Sequence, residues 1–224
     1  SMDWFDALNH AFATLATGGF STKNASIQAF DSAYIDIVIT LFMFLAGINF
    51  AMHFRLIKGD RESFFNNRET RFYTLITLAG IIGVSFSLWW FDGRGILEAL
   101  RYGAFQVVAI VTTTGFGTDD YELWYSFGAF FLFLLFFTGG SSGSTGGGIK
   151  MIRWMILIRN TLREIKQIIH PKAILPVRIG TRAIDSNIQR TVLSFFILYI
   201  FIFGLGAFLI SLFGYDMMSS IGAS

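Results

Sequence analysis

The 224-residue chain contains no cysteine, which excludes disulfides and thiolate metal sites. Charge is scarce, at 14% of residues, and the 17 Lys and Arg against 15 Asp and Glu leave a formal net charge of +2. That balance is too small to mark a nucleic-acid-binding surface. The opening SMDWFDAL lacks the basic start and apolar core of a cleavable signal peptide. His10 and His170 have no Cys, Asp or Glu at ligand spacing, so no metal centre is expected. No Ser/His/Asp arrangement stands out, and the sequence offers no support for an enzyme. Proline occurs only at Pro171 and Pro176, inside one basic stretch.

What is present is apolar. Hydrophobic residues make up 54% of the chain, 27 of them Phe. The stretches AYIDIVITLFMFLAGINFAMHF (33–54), RFYTLITLAGIIGVSFSLWWF (71–91) and TVLSFFILYIFIFGLGAFLISLF (191–213) carry at most one Lys, Arg, Asp or Glu each. A hydrocarbon core about 30 Å thick takes roughly 20 apolar residues in helix, so all three are predicted spans. The fold class is therefore all-α integral membrane, with membrane lipids as the first partner. Of the 17 basic residues, five lie in 55–71 and nine in 150–190. The positive-inside rule makes both stretches cytoplasmic and places the loops at 23–32, 92–98 and 119–122 outside. Asp119, Asp120 and Glu122 then stand at the outer mouth, and Trp89, Trp90 and Trp124 at the outer interface as an aromatic belt.

The chain also repeats itself. FDALNHAFATLATGGFST (5–22) and LEALRYGAFQVVAIVTTTGFGT (97–118) share an aromatic or Leu, an acid, Ala-Leu, an apolar stretch and Thr…Gly-Phe-x-Thr. The second copy is longer by about one helical turn. Each helix, at about a dozen residues in the first copy, is too short to cross a bilayer and reads as a re-entrant half-helix. A Gly-rich loop follows each, and non-helical backbone at membrane depth is tolerated only inside protein or along a watery path. The unit is thus outer helix, re-entrant pore helix, filter loop, inner helix, as in a potassium-channel pore. By the phase of this repeat, the sequence reads as the middle piece of a longer chain.

A re-entrant helix ends with free carbonyls and about half a negative charge pointing at the membrane centre. Ala16, Thr17, Gly18 and Gly19, and likewise Thr112, Thr113, Thr114 and Gly115, can present a ladder of backbone carbonyls to a dehydrated cation. Glycine is needed because only unusual torsions bring successive carbonyls to one side. The plainer alternative is a non-transporting scaffold in which the Gly loops only pack helices.

FATLATGGFST, VTTTGFGT and above all GGSSGSTGGGIKMIR resemble the Trk/Ktr/HKT superfamily of potassium transporters, closest to its bacterial TrkH type. The resemblance covers essentially the whole chain, with the Gly/Ser/Thr run its most specific part. It implies four pore repeats around one cation pathway, of which 1–58 is the second without its outer helix. Residues 59–165 are then the third with a broken inner helix, 166–187 a cytoplasmic segment and 188–224 the start of the fourth. Gly19 and Gly115 match the filter glycines and the three residues before each match carbonyl donors. The implied function is potassium uptake across the bacterial inner membrane, with the potassium ion as cargo and no organic cofactor. A sodium-permeable or weakly selective relative is the alternative. The implied partners are a second copy of the chain and a cytosolic nucleotide-binding regulatory ring of the TrkA/KtrA-like kind, docked on the basic stretch. The same charge pattern would also draw that stretch to anionic headgroups.

From Glu122 to Ile158 is 37 residues, which as one helix would reach about 55 Å, too long for a single straight span. GGSSGSTGGG holds six glycines in ten residues, each disfavouring helix by about 1 kcal/mol relative to Ala, and should break it. The run is too Gly-dense for a small-residue packing face in an intact helix. It lacks the G-K-[ST] ending of a phosphate loop, and the flanking sequence does not look like an engineered linker. By the resemblance it is the gate: Gly139, Gly140, Ser141, Ser142, Gly143, Ser144, Thr145, Gly146, Gly147 and Gly148, with Lys150 beside it. Lys150 either places a cation in the pathway when the loop is closed or snorkels to the membrane edge. Asn49 and His53, four apart on a predicted span, either face the pathway or bond between helices, and Asp36 is expected at the outer interface.

Overall fold

The computed structural model describes residues 2–173, 175–180 and 182–223, so Ile174 and Thr181 of the expected cytoplasmic segment lie outside the described residues. The chain forms two compact units, Ser1–Trp154 and Met155–Ser224.

The first unit starts with α1 (Trp4–Leu15), whose N-cap Asp3 accepts a hydrogen bond from Asp6 N at 2.7 Å. After a loop come α2 (Ala33–Ala46), α3 (Phe50–Ile57), α4 (Arg61–Asn66) and α5 (Arg68–Trp90). Then follow α6 (Ile96–Val111), α7 (Ser126–Phe136) and α8 (Met151–Ile169), which carries the chain into the second unit. There a short antiparallel hairpin pairs β1 (Arg178–Ile179) with β2 (Arg182–Ala183), ahead of α9 (Ser186–Ser211) and α10 (Met217–Gly222). The hairpin lies just beyond Pro171 and Pro176, where proline disfavours helix. The fold is all-α, as composition predicts.

Among the described residues, α5 and α9 are each long and apolar enough to cross a membrane, and α7 is a shorter apolar helix. The stretch 33–54, predicted as one span, is two helices bent by 99°. The bend falls at Gly47–Asn49. Asn49 starts α3 by accepting from Ala51 N at 2.8 Å, and His53 Nε2 turns back to Leu45 O at 2.9 Å across the break. Asn49 and His53 therefore serve the bend and do not line one face of a continuous span.

α6 is the buried axis of the first unit. Phe105, Val107, Val108, Ala109 and Val111 are all at most 1% exposed, packed by α5, α2 and α7. One apolar cluster joins Tyr73, Val84 and Leu88 of α5 to Val107 and Val111, and to Leu132 and Leu135 of α7. A second joins Ile39 and Met43 of α2 to Phe105, Val108 and Phe116. Asp36, expected at the interface, is instead buried and paired with Arg101 of α6, Nε to Oδ2 at 2.7 Å. Trp89 and Trp90 are exposed as belt residues should be, but Trp124 is 5% exposed and donates Nε1–H to Asp119 at 2.7 Å. Asp119 also holds Arg94 at 2.7 Å, so its charge is already partnered.

The candidate ion pathway and its loop

α1 and α6 end in the same way. Gly18 N donates to Ala13 O and Thr114 N to Ala109 O, both at 2.8 Å. Thr17 N reaches Thr14 O at 3.1 Å, and Thr113 N reaches Ile110 O at 2.9 Å. Each threonine hydroxyl then bonds the carbonyl before it, Thr17 to Ala16 and Thr113 to Thr112, both at 2.7 Å. The torsions repeat as well, with positive φ at Thr17 (50°) and Gly19 (67°) and at Thr113 (58°) and Gly115 (80°). A left-handed threonine costs about 1–3 kcal/mol, because its Cβ crowds the carbonyl, and so needs the surrounding structure to hold it. Left-handed residues alternating with ordinary ones also rotate successive peptide planes, which can bring neighbouring carbonyls to one side.

The two loops meet. A Cβ on Gly19 would stand 1.9 Å from Thr114 O, so only glycine permits that approach. Ala16–Gly19 and Thr112–Gly115 are thus brought together. The loops are braced from behind: Thr112 Oγ1 donates to Val108 O at 2.7 Å and lies 2.7 Å from Thr114 Oγ1. Behind the first loop, buried His10 sits with Nδ1 2.6 Å from Asp6 O and Nε2 2.8 Å from Ser21 Oγ. A carbonyl only accepts, so Nδ1 carries the hydrogen and the ring ties the pore helix to its own loop.

Residues 137–150 interrupt the helix between α7 and α8, as the Gly/Ser run predicts. The neck of the loop is closed by Gly139 N donating to Ile149 O at 2.9 Å and Met151 N to Gly140 O at 3.2 Å. The two strands of the neck touch so closely that a Cβ on Gly139 would lie 2.2 Å from Gly147 O. The body of the loop seats against the α2–α3 bend, where Ser141 N donates to Gly47 O at 2.8 Å and Phe50 N to Gly143 O at 3.1 Å. Its far side lies under both filter-like loops. Thr145 Oγ1 donates to Leu15 O, at the end of α1, at 3.0 Å. Gly147 N donates to Thr113 Oγ1, and a Cβ on Gly146 would stand 2.8 Å from Thr112 O. Lys150 neither reaches for the membrane edge nor stands free. Its Nζ donates to Gly146 O, to Ser144 O at 3.3 Å and to Ser144 Oγ at 3.2 Å.

Two residues that sequence reading passed over complete the arrangement. Glu69, in the first turn of α5, accepts from Ser142 N at 2.6 Å, from Ser142 Oγ at 2.9 Å and from Ile152 N at 3.1 Å. It falls two residues before the predicted span, where an acid among arginines looks like solvated loop. Gly47 lets Tyr73 approach the bend, because a Cβ there would meet Tyr73 Oη at 2.3 Å, while Tyr73 donates to Phe44 O at 2.9 Å. A glycine followed two residues later by asparagine inside an apolar run was the available signal.

Two re-entrant half-helices whose Thr/Gly loops meet, with a broken helix beneath them, define an α-helical membrane protein of pore-loop architecture. Residues 2–223 match the family model described as TrkH, cation transport protein. The chain belongs to the TrkH family. It is 39% identical over its whole length to the Trk system potassium uptake protein TrkH of Halomonas elongata, of which it covers 47%. It is 36% identical over 99% of its length to the Trk system potassium uptake protein TrkH of Escherichia coli K12, covering 46% of that protein. The crystal structure of the potassium transporter TrkH from Vibrio parahaemolyticus superposes with a TM-score of 0.92 at 32% identity, over 99% of this chain and 48% of that one. The chain thus spans about half the length of the curated relatives it matches.

Proposed function

We propose that this chain contributes two filter loops and the intramembrane gate of a potassium uptake protein of the bacterial inner membrane. The observation that carries this reading is the shared hydrogen-bond and torsion pattern of Ala16–Gly19 and Thr112–Gly115, with 139–148 packed against both. The C-terminal ends of α1 and α6 bring negative dipole ends toward these loops. Backbone carbonyls of Ala16, Thr17, Gly18, Gly19, Thr112, Thr113, Thr114 and Gly115 replace the hydration shell of potassium. The loop from Gly139 to Gly148, with Lys150, closes the route below them. In this reading residues 1–58 and 59–165 are successive pore repeats, 166–187 a cytoplasmic segment and 188–224 the start of another repeat. The basic stretches face the cytoplasm, the protein works as a homodimer, and a nucleotide-binding ring regulates it from that side.

Rubidium-tracer uptake into liposomes carrying the protein at its full encoded length tests this, with potassium or sodium as competitor and a deletion within 141–146 alongside. Suppression by potassium but not sodium, with faster uptake in the deletion, is expected. Equal suppression by both ions would replace potassium selectivity with weak selectivity. No uptake in either protein would leave a scaffold that only packs helices.

A further inference from the structure

Glu69 is the acidic residue nearest the gate-like loop by hydrogen bonding, and the function proposed above does not use it. Glu69 is 9% exposed and sits at the entry of α5, the span that packs on both α6 and α7. Oε1 accepts from two backbone N–H groups that belong to opposite sides of the neck: Ser142 in the loop and Ile152 in the first turn of α8. Oε2 accepts the Ser142 hydroxyl. Lys150 engages the other half of the loop through its carbonyls, at Ser144 and Gly146. The loop is therefore held by a carboxylate on its donors and an ammonium on its acceptors. Of the two, only Glu69 comes from a separate helix, since Lys150 lies in the interruption between α7 and α8. Its anchorage is secure, since neighbouring Thr70 N is capped by Asn67 at 2.9 Å and α5 is packed along its length.

We infer that Glu69 is the positioning residue that holds the loop 139–148 in its closed seat, so that opening requires Ser142 to leave its carboxylate. The inference rests on the gate reading of that loop. Two charge-assisted hydrogen bonds end when Ser142 departs, while the bond to Ile152 N can persist and keep α8 in place. Losing the carboxylate should therefore shift the loop toward open by about tenfold or more. Glu69→Gln is the conservative variant. Its carbonyl can still accept from both N–H groups and its amide can donate to Ser142 Oγ, so it loses only the charge and should shift the loop less than Glu69→Ala.

The test reads loop position separately from ion flux. Ser141 is fully buried, so a Ser141→Cys thiol in the full-length protein, with any other cysteines replaced, reacts with a water-soluble maleimide only when the loop leaves its seat. Glu69→Ala should raise both the labelling rate and rubidium uptake about tenfold, with Glu69→Gln in between and thermal unfolding little changed. Unchanged labelling in folded Glu69→Ala, or labelling in Glu69→Gln equal to that in Glu69→Ala, would overturn the positioning role. Faster labelling of Glu69→Ala with no uptake by it, and no uptake by the 141–146 deletion, would uphold the clamp and sink the gate reading instead. If Glu69→Ala does not fold, Ser142→Ala removes the hydroxyl contact alone. It must then accelerate labelling by a larger factor in the Glu69 protein than in Glu69→Gln, where the contact has lost its charge, and equal factors in the two backgrounds would refute the pairing.

Discussion

Lys150→Met is the substitution whose direction the structure specifies most clearly. The lysine Nζ donates to two carbonyls and a hydroxyl of the loop, at Gly146 and Ser144. A methionine of similar length can fill the space but donates nothing, so both carbonyls lose their charged partner. A hydrogen bond to a charged group contributes about 1.5–3 kcal/mol net. Two such carbonyl contacts would sum higher, but the lysine is only half-buried and water can serve the opened loop. We therefore set the loss at about 2 kcal/mol, which changes the closed-to-open ratio by about thirtyfold. On the reading proposed above, removing a positive charge beside the route also lowers the barrier to a cation, so both effects accelerate uptake. Initial rates of rubidium uptake in proteoliposomes measure the sum. Lys150→Arg separates the two, because it keeps the charge but presents a planar fork in place of a compact ammonium. Uptake by Lys150→Met that is unchanged, in protein with wild-type thermal stability, would mean that these contacts do not hold the loop.

Gly139→Ala should open the neck of the loop, since its Cβ would stand 2.2 Å from the backbone oxygen of Gly147 and no flexible side chain can yield. The overpacking should cost about 1–3 kcal/mol, read as faster uptake or earlier proteolysis within 139–148. Arg101→Met should lower stability by about 2–4 kcal/mol in a thermal melt, because it strands Asp36 at 2% exposure, and Asp36→Asn combined with it should recover most of the loss. Asp60, in the connection before α4, has its carboxyl held below the usual range by Ser63, through side chain and backbone. Its depressed folded pKa means that its capping contribution is present above the unfolded value and is lost as pH falls through the folded value. Amide protection factors in α4, corrected for the intrinsic exchange rate, should therefore fall below about pH 4 in the wild type, and Asp60→Asn should flatten that dependence.

The pore loops were legible in the sequence because their requirement is a backbone one. Positive φ at Gly19 and Gly115 favours glycine at fixed distance from a short helix, and the spelling survives duplication. The break at 139–148 was legible for the same reason. The 99° bend between α2 and α3 was not, because counting apolar residues from 33 to 54 cannot register a tertiary contact. Gly47 is needed there by Tyr73 and Thr112, partners 26 and 65 residues away in sequence. The burial of Trp124 and Asp36 escaped the reading for a related reason. Each looked like an interface residue by depth, but Asp119 and Arg101 supplied partners that let them be buried. Glu69 stayed hidden because its meaning depends on Ser142 and Ile152, which no local pattern links to it.

On the reading proposed above, a gate made of glycine, serine and threonine has a physical advantage over an apolar plug. An apolar side chain in a closed pathway is held by about 25 cal/mol for each Å² withdrawn from water, and opening must return all of it. The loop 139–148 contains no side chain larger than threonine and so has little apolar surface to lose. Its closed seat rests on hydrogen bonds to Gly47, Phe50, Glu69, Leu15 and Thr113. Each such bond contributes only about 0.5–1.5 kcal/mol net, or somewhat more at the carboxylate, because water replaces it when the loop leaves. The seat is therefore specific in geometry yet shallow in energy. Two of those bonds end at the last residue of α1, Leu15, and on the loop after α6, at Thr113, so on the reading proposed above the movement that clears the route also frees the underside of both filter loops.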